Sequence, residues 1–145
     1  MKTVSKKISL DGIGIHTGVK AHLDILPANP NSGIIFKRVD IEKNNIIIPT
    51  YNNVVDPTLC TTISNDYGIK VSTIEHLMGA LYGLGIDNAI IEINSQEVPI
   101  MDGSAKKFIE LITQAGIHSS EIPIKIIKVE KQTEVIEGDL SLIHI

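Results

Sequence analysis

The chain has 145 residues, of which 43% are hydrophobic, 21% are charged and 3% are aromatic. These values predict one domain, or one domain and part of another, with an aliphatic core, and they exclude a disordered chain. The net charge of −4 argues against a nucleic-acid-binding module, and the single cysteine, Cys60, excludes an internal disulfide framework.

No apolar run approaches the length of a transmembrane segment. The charged N-terminus is followed by no hydrophobic signal region. We therefore expect a cytoplasmic protein without a transmembrane segment.

The N-terminal part predicts a hairpin around a glycine-rich loop. A strand covers residues 2–10, and apolar and polar residues alternate again at 21–25. Three glycines between Gly12 and Gly18 predict a tight loop, although their spacing does not match the dinucleotide fingerprint. This loop presents His16 at its tip, as a functional side chain or as an ordinary exposed histidine.

Further strands are predicted where β-branched and apolar residues cluster between turn residues. These strands cover residues 34–39, 46–48, 58–64 and 89–94.

The stretch from Ser72 to Gly85 predicts the central helix. Its apolar residues recur at helical spacing, Ser72 is a good N-cap, and Gly85 is a good stop after the last turn. Glu75 and His76 fall outside the apolar stripe, in the first turn. A carboxylate beside an imidazole can supply a general base and a metal ligand.

A structural interpretation of this pair competes with the chemical one. Ser72 and Glu75 match a capping box, and His76 can be a surface residue. From the helix alone this interpretation is favoured. Ala80 stands where a second zincin histidine would be, so any metal site must draw its other ligands from elsewhere.

A second helix is predicted from residue 105 to Gly116, with Asp102 or Ser104 as its cap. After a boundary at Pro123, a strand at 124–129 is expected to pair with 133–136. The order of elements predicts an α+β two-layer sandwich, in which a mixed, mostly antiparallel sheet carries both helices on one face. We assign residues 1–122 to a first domain and 123–145 to the start of a second.

Five stretches together resemble the bacterial UDP-3-O-acyl-N-acetylglucosamine deacetylases, which are zinc enzymes of lipid A biosynthesis. They occur in the family's order, at about its spacings, over residues 1 to 138. They are Gly-Ile-Gly-Ile-His-Thr-Gly at 12–18, Leu-Cys-Thr at 59–61, Ser-Thr-Ile-Glu-His-Leu at 72–77, Gly-Leu-Gly-Ile-Asp-Asn at 83–88 and Pro-Ile-Met-Asp-Gly-Ser at 99–104.

The resemblance implies a zinc-dependent amide hydrolase that removes acetate from UDP-3-O-(3-hydroxyacyl)-N-acetylglucosamine. His76 matches a zinc ligand of the family, and Glu75 matches the general base that activates the zinc-bound water. Leu59 and Cys60 match residues beside the site, near the acyl-chain passage, and His16 matches a loop histidine near the site. With the resemblance, the catalytic interpretation of Glu75 and His76 is favoured over the cap.

The family has two α/β domains with the active site between them, and this sequence matches only the first. In the family, a His and an Asp on a second-domain helix complete the zinc site, and a further His acts as general acid. A Lys and a Thr of that domain help bind substrate. His144 and Asp139 do not fit the second-domain positions, and residues 141–145 resemble translated adapter sequence.

We therefore expect this chain to be inactive as a deacetylase on its own, because a catalytic zinc requires about three protein ligands. The alternative is a non-catalytic α+β module that binds a metabolite or a protein, with Glu75 as a cap. An RNA-binding role is a distant third, since the net charge is negative and aromatic residues are few.

Overall fold

The computed structural model describes residues 1–144 of the chain. Within them it shows twelve strands, two α-helices and a short 3-10 turn at Tyr51–Asn53. The strands are β1 (Lys2–Val4), β2 (Ile8–Ile13), β3 (Lys20–Pro27), β4 (Ile34–Arg38), β5 (Ile46–Ile47), β6 (Val54–Asp56), β7 (Thr62–Ser64), β8 (Lys70–Val71), β9 (Ala89–Ile93), β10 (Ile117–Ser119), β11 (Thr133–Glu137) and β12 (Leu140–His144). The helices are α1 (Glu75–Gly83) and α2 (Lys106–Ala115).

Five strands form the central sheet, in the order β2, β3, β9, β4 and β5. Neighbouring strands are antiparallel except β4 and β9, which are parallel. Leu23 lies opposite Leu10 on one side and Ile93 on the other. Because side chains alternate between the two faces of a strand, this register places the apolar residues of three strands on one face.

Both helices contribute to the core that covers this inner face. Fully burying one large aliphatic or aromatic side chain contributes about 1.5–3 kcal/mol, so the burial of many such residues holds the two layers together. The predicted two-layer α+β sandwich is confirmed. Its core includes Ile8, Leu10, Leu23, Ile25, Phe36, Ile91 and Ile93 from the sheet and Leu77, Ala80, Leu81, Phe108 and Ile112 from the helices.

The outer face of the sheet carries a cluster of charged side chains around β2 and β3. Asp24 accepts a hydrogen bond from Ser9 at 2.6 Å and pairs with Lys7 at 2.8 Å. His22 lies between Asp24 and Asp11, with its Nδ1 2.8 Å from the Asp11 carboxylate. The alternation seen in the sequence therefore separates the core from a solvated, ion-paired surface.

Several predicted strand boundaries are wrong for non-local reasons. The single strand predicted at 2–10 is two strands, because β1 leaves the central sheet and pairs with β10, the segment after α2. The strand predicted at 58–64 begins only at Thr62. Residues 57–61 instead form an irregular loop in which Leu59 has a positive φ of 63°.

The second helix covers nearly its predicted range, but its N-cap position is Ala105, which makes no side-chain cap, instead of Asp102 or Ser104. The hydroxyl of Ser104 accepts a hydrogen bond from the N–H of Lys106, the first residue of α2, and Asp102 accepts one from the Ser104 N–H. Gly116 ends the helix with a φ of 85°. Neither helix within the described residues has the length and apolar character needed to cross a bilayer.

The segment after β10 is exposed throughout, from residue 121 to 143. The strand predicted at 124–129 is wrong, since those residues have no regular secondary structure. The partner of β11 is instead β12, which follows after the two-residue turn Gly138-Asp139. Because only two residues separate β11 from β12, the two strands form a local hairpin, which was not predicted from the sequence.

Candidate active site

The start of α1 is not capped as the sequence predicted. The N–H of Ser72 donates to the carbonyl of Gln96 at 2.9 Å, and its hydroxyl donates to the same carbonyl at 3.1 Å. The N-cap position is Ile74, which makes no side-chain cap. The capping box of Ser72 and Glu75 is therefore wrong, because the Ser72 N–H already has a partner on a neighbouring segment.

The Glu75 carboxylate turns instead towards the loop before β7. Its Oε2 accepts a hydrogen bond from the backbone N–H of Thr61 at 3.0 Å. This contact brings residues 57–61 beside the first turn of α1. Within residues 1–144, Oε1 of Glu75 has no hydrogen-bond partner, so one oxygen of the carboxylate is held and the other is available.

Leu59 and Cys60 lie in this same loop, next to Thr61. The Leu59 side chain is 87% exposed, whereas Cys60 is half-buried with its Sγ 3.7 Å from the hydroxyl of Thr62. An L-residue with positive φ is sparsely populated and costs of order 1–3 kcal/mol. The Leu59 side chain is therefore exposed on a loop whose unfavourable backbone conformation must be stabilised by contacts elsewhere in the structure.

His76 follows Glu75 on α1 and is half-exposed. The core-facing residues of the helix are Leu77, Ala80 and Leu81, so His76 lies off the buried stripe, as predicted. No hydrogen bond to its ring nitrogens occurs among residues 1–144. Consecutive helical residues are about 100° apart, so Glu75 and His76 can both reach one point beyond the helix start.

The glycine-rich loop between β2 and β3 has the predicted form. The N–H of Gly14 donates to the carbonyl of Val19 at 3.0 Å, and Gly18 closes a turn back to Gly14, also at 3.0 Å. Gly18 has a φ of 67°, which glycine adopts readily. His16 is exposed at the tip of this hairpin, where the sequence placed it.

Glu97 is a central residue of this region that sequence reasoning missed. Its side chain is fully buried, with 0% of its surface exposed. Its carboxylate accepts hydrogen bonds from the N–H of His16, from the N–H and hydroxyl of Thr17, and from the hydroxyl of Thr73. The available signal was an acidic residue followed by the apolar run Val98-Pro99-Ile100, where a buried charge would need partners.

Two opposing effects set the pKa of Glu97. Burial raises the pKa, because it disfavours the charged form. The hydrogen bonds from Thr17, His16 and Thr73 stabilise the charged form and outweigh burial, so the pKa lies below its ordinary value. Glu97 is therefore a carboxylate that joins the glycine-rich loop to the turn before α1.

Three segments converge as a result: the glycine-rich loop, the loop at 57–61 and the start of α1. They carry all five residues that the sequence singled out. Glu97 joins the first segment to the third, and Glu75 joins the second to the third. These hydrogen bonds connect the segments that carry a carboxylate, an imidazole and an exposed apolar side chain.

The described residues do not form a complete metal site. A catalytic zinc has about three protein ligands and one open position. Among residues 1–144, no group of three or more His, Cys, Asp or Glu side chains is arranged to hold a metal ion. His76 is the right type of donor, but the described residues do not by themselves fit a catalytic zinc.

A sequence model of the UDP-3-O-acyl N-acetylglycosamine deacetylase (LpxC) family matches residues 1–145. UDP-3-O-acyl-N-acetylglucosamine deacetylases of Shewanella baltica strains OS155 and OS185 are 46% identical to the chain over 138 residues, which are 95% of this chain. A deacetylase of a further Shewanella species is 45% identical over 138 residues. The matched region is 45% of each relative, so the chain spans less than half the length of these curated relatives.

Proposed function

The chain belongs to the UDP-3-O-acyl N-acetylglycosamine deacetylase family, and we propose that it forms one half of a zinc-dependent amide hydrolase of lipid A biosynthesis. The substrate of that hydrolase is UDP-3-O-(3-hydroxyacyl)-N-acetylglucosamine, from which it releases acetate. In this proposal Glu75 is the general base and His76 is one zinc ligand. The other ligands belong to a second domain like the remainder of the longer relatives.

One observation carries the proposal: Glu75 is held at the helix start beside His76 without acting as a cap. Its Oε2 accepts the Thr61 N–H, and the Ser72 N–H that a capping carboxylate would accept is bonded to Gln96. In the alternative, a non-catalytic module, Glu75 would serve as that cap. The observed contacts therefore favour the catalytic role.

The chemistry of Glu75 follows from its two unequal oxygens. A bound zinc would supply a Lewis acid that polarises water and the amide carbonyl. The Thr61 N–H fixes the orientation of the carboxylate, which leaves Oε1 to accept a proton from the attacking water. Such general-base catalysis contributes typically about 10²–10⁴-fold in rate.

The loops on either side of α1 are proposed to contact substrate. The side chain of Leu59 is apolar and exposed to solvent, which suits contact with an acyl chain. Cys60 follows Leu59 in the same loop and is half-buried, and His16 offers an exposed imidazole on the glycine-rich loop. We also propose a cytoplasmic location, because the free thiol of Cys60 fits a reducing compartment.

Acetate release from the UDP-linked substrate tests this function. The chain alone is expected to be inactive, whereas its fusion to the second half of the Shewanella baltica relative is expected to release acetate. In the fusion, Glu75→Gln should lower kcat by at least about 100-fold, since it removes the proton acceptor.

The matched control is Glu42→Gln, at an exposed position outside the site, which should keep the parent rate. Parent-like activity of Glu75→Gln would remove Glu75 from the mechanism. Acetate release by the unfused chain would overturn the proposal that its site is incomplete.

A further inference from the structure

Glu97 is a buried carboxylate whose partners among residues 1–144 include no charged side chain. Its four hydrogen-bond donors are the backbone N–H groups of His16 and Thr17 and the hydroxyls of Thr17 and Thr73. Removing a charge from water is costly unless hydrogen bonds compensate it. The geometry of these donors is therefore essential to keeping Glu97 charged inside the protein.

The two carboxylate oxygens of Glu97 accept hydrogen bonds from different parts of the structure. Oε2 binds only the glycine-rich loop, through the N–H of Thr17 at 2.8 Å and its hydroxyl at 2.6 Å. Oε1 joins two segments, because the N–H of His16 lies 3.0 Å from it and the hydroxyl of Thr73 lies 2.9 Å from it. A single oxygen atom thus couples the backbone of His16 to the turn before α1.

The backbone contacts around Glu97 fix the position of its Cα, from which the side chain extends. Ser72 and Glu97 form an isolated parallel β-bridge, in which the Val98 N–H donates to the Ser72 carbonyl at 3.1 Å. Thr73 has a φ of 58°, an uncommon conformation for a β-branched residue, and its side chain is buried. In this conformation the Thr73 hydroxyl donates a hydrogen bond to Glu97. Thr73 lies two residues before Glu75 in the chain.

We propose that Glu97 is a positioning residue for the proposed deacetylase site. It sets the position of the His16 loop relative to the helix start that carries Glu75 and His76. The inference rests on the proposed function for the roles of those residues, while the coupling itself is a property of this chain. Glu97 does not touch substrate, since it is fully buried.

A pair of substitutions at Thr73 tests the coupling with little change in shape. Thr73→Val removes the hydroxyl, and Thr73→Ser keeps it. In NMR spectra of the 145-residue chain, Thr73→Val should shift the amide resonances of His16 and Thr17 and speed their hydrogen exchange. Thr73→Ser should leave both amides as in the parent.

Glu97→Gln provides the second measurement, with Glu42→Gln as its control. A glutamine has only one accepting oxygen, so its NH2 group would face either the Thr17 N–H or the His16 N–H. One or both of these amides should then exchange at least about tenfold faster, as expected when a hydrogen bond to a charged group is lost. The amide resonances of Glu75 and His76 should also shift.

Equal effects of Thr73→Val and Thr73→Ser at His16 and Thr17 would overturn the inference. So would a folded Glu97→Gln protein with parent-like exchange at those two amides. The Thr73 pair decides alone if Glu97→Gln does not fold. Because no readout requires turnover, a negative result here would leave the deacetylase proposal standing, and an inactive fusion enzyme would leave the coupling standing.

Discussion

At the scale of single residues, the site depends on two glutamates that differ in exposure. Glu75 is half-buried and one of its oxygens has no partner among the described residues, which suits a group that must accept a proton. Glu97 is fully buried and uses both oxygens, which suits a structural anchor. The contacts of each carboxylate, rather than its residue type, determine the proposed role.

Gly14 should not tolerate a side chain. A Cβ at this position would overlap Oε2 of Glu97 and would lie 2.7 Å from its Cδ. We expect Gly14→Ala to destabilise the fold by about 1–3 kcal/mol through overpacking. Gly79→Ala is the control: Gly79 is an exposed helical residue with open space around its Cα, so alanine should stabilise by about 0.5–1 kcal/mol. Urea unfolding measures both, and a neutral Gly14→Ala would contradict the close contact.

The lowered pKa of Glu97 predicts that the free energy of unfolding depends on pH. Its pKa in the folded state lies below the ordinary value of about 4.3 for a glutamate. Such a group stabilises the fold above its unfolded pKa, and this stabilisation is lost as the pH falls through the folded pKa. The free energy of unfolding of the parent should therefore exceed that of Glu97→Gln most at about pH 6–7, and the difference should shrink below about pH 4.

Urea unfolding of the two proteins across this pH range gives the comparison. The other carboxyls with lowered pKa values, such as Asp24 and Asp102, are common to both proteins and cancel. A difference that stays constant with pH would show that the ionisation of Glu97 does not contribute to the stability of the fold.

At the scale of elements, local patterns predicted the helices and the strands of the sandwich. The cluster of apolar residues at 89–94 and the helical spacing at 105–115 match β9 and α2 closely, because both patterns depend on residues close together in the sequence. Gly85 also ends the central helix as predicted, with a φ of 69°. These features depend on neighbours in the sequence.

What the sequence could not predict depends on distant partners. The strand propensity of residues 58–61 is overridden where the Thr61 N–H binds Glu75, and Ser72 pairs with the segment at Glu97 instead of capping α1. The loop and helix patterns already singled out His16, Glu75 and His76, whereas Leu59 and Cys60 were named through resemblance alone. The contacts between the segments that carry them could be seen only in the fold. Glu97 matched no motif, since its role depends on donors that lie far away in the chain.

The packing of α2 predicts a large effect at Phe108. This side chain is fully buried between α2 and the rest of the core. Phe108→Ala should cost about 3–5 kcal/mol, since it removes transfer free energy and leaves a cavity. Tyr82→Ala is the control, because Tyr82 on α1 is 88% exposed and should change stability by less than about 0.5 kcal/mol. Equal midpoints for the two variants in urea would contradict the packing of α2 against this core.

At the scale of the whole molecule, the sandwich and the segment after it differ in burial. The core is continuous through sheet and helices, whereas residues 121–143 bury no side chain. Ile127 is 97% exposed, and Ile126 and Leu142 are also largely exposed. Division of the chain into a first domain at 1–122 and the start of a second remains a prediction.

The exposed apolar side chains predict self-association of the isolated chain. Contiguous apolar surface favours contact between copies. Sedimentation velocity should show a mass that rises with concentration, and the double change Ile126→Ser and Ile127→Ser should reduce that rise. A single monomeric species at high concentration, before and after the change, would contradict this expectation.

In our proposal His76 is one ligand of a zinc site that other residues must complete. Zinc content after dialysis, measured by elemental analysis, distinguishes a partial zinc site from a complete one. We expect near-zero zinc in this chain and about one zinc per molecule in its fusion to the second half of the Shewanella baltica relative, and we expect His76→Ala to remove the zinc of the fusion. About one zinc in the unfused chain would show that its own residues complete the site, and a fusion that keeps its zinc after His76→Ala would exclude His76 as a ligand.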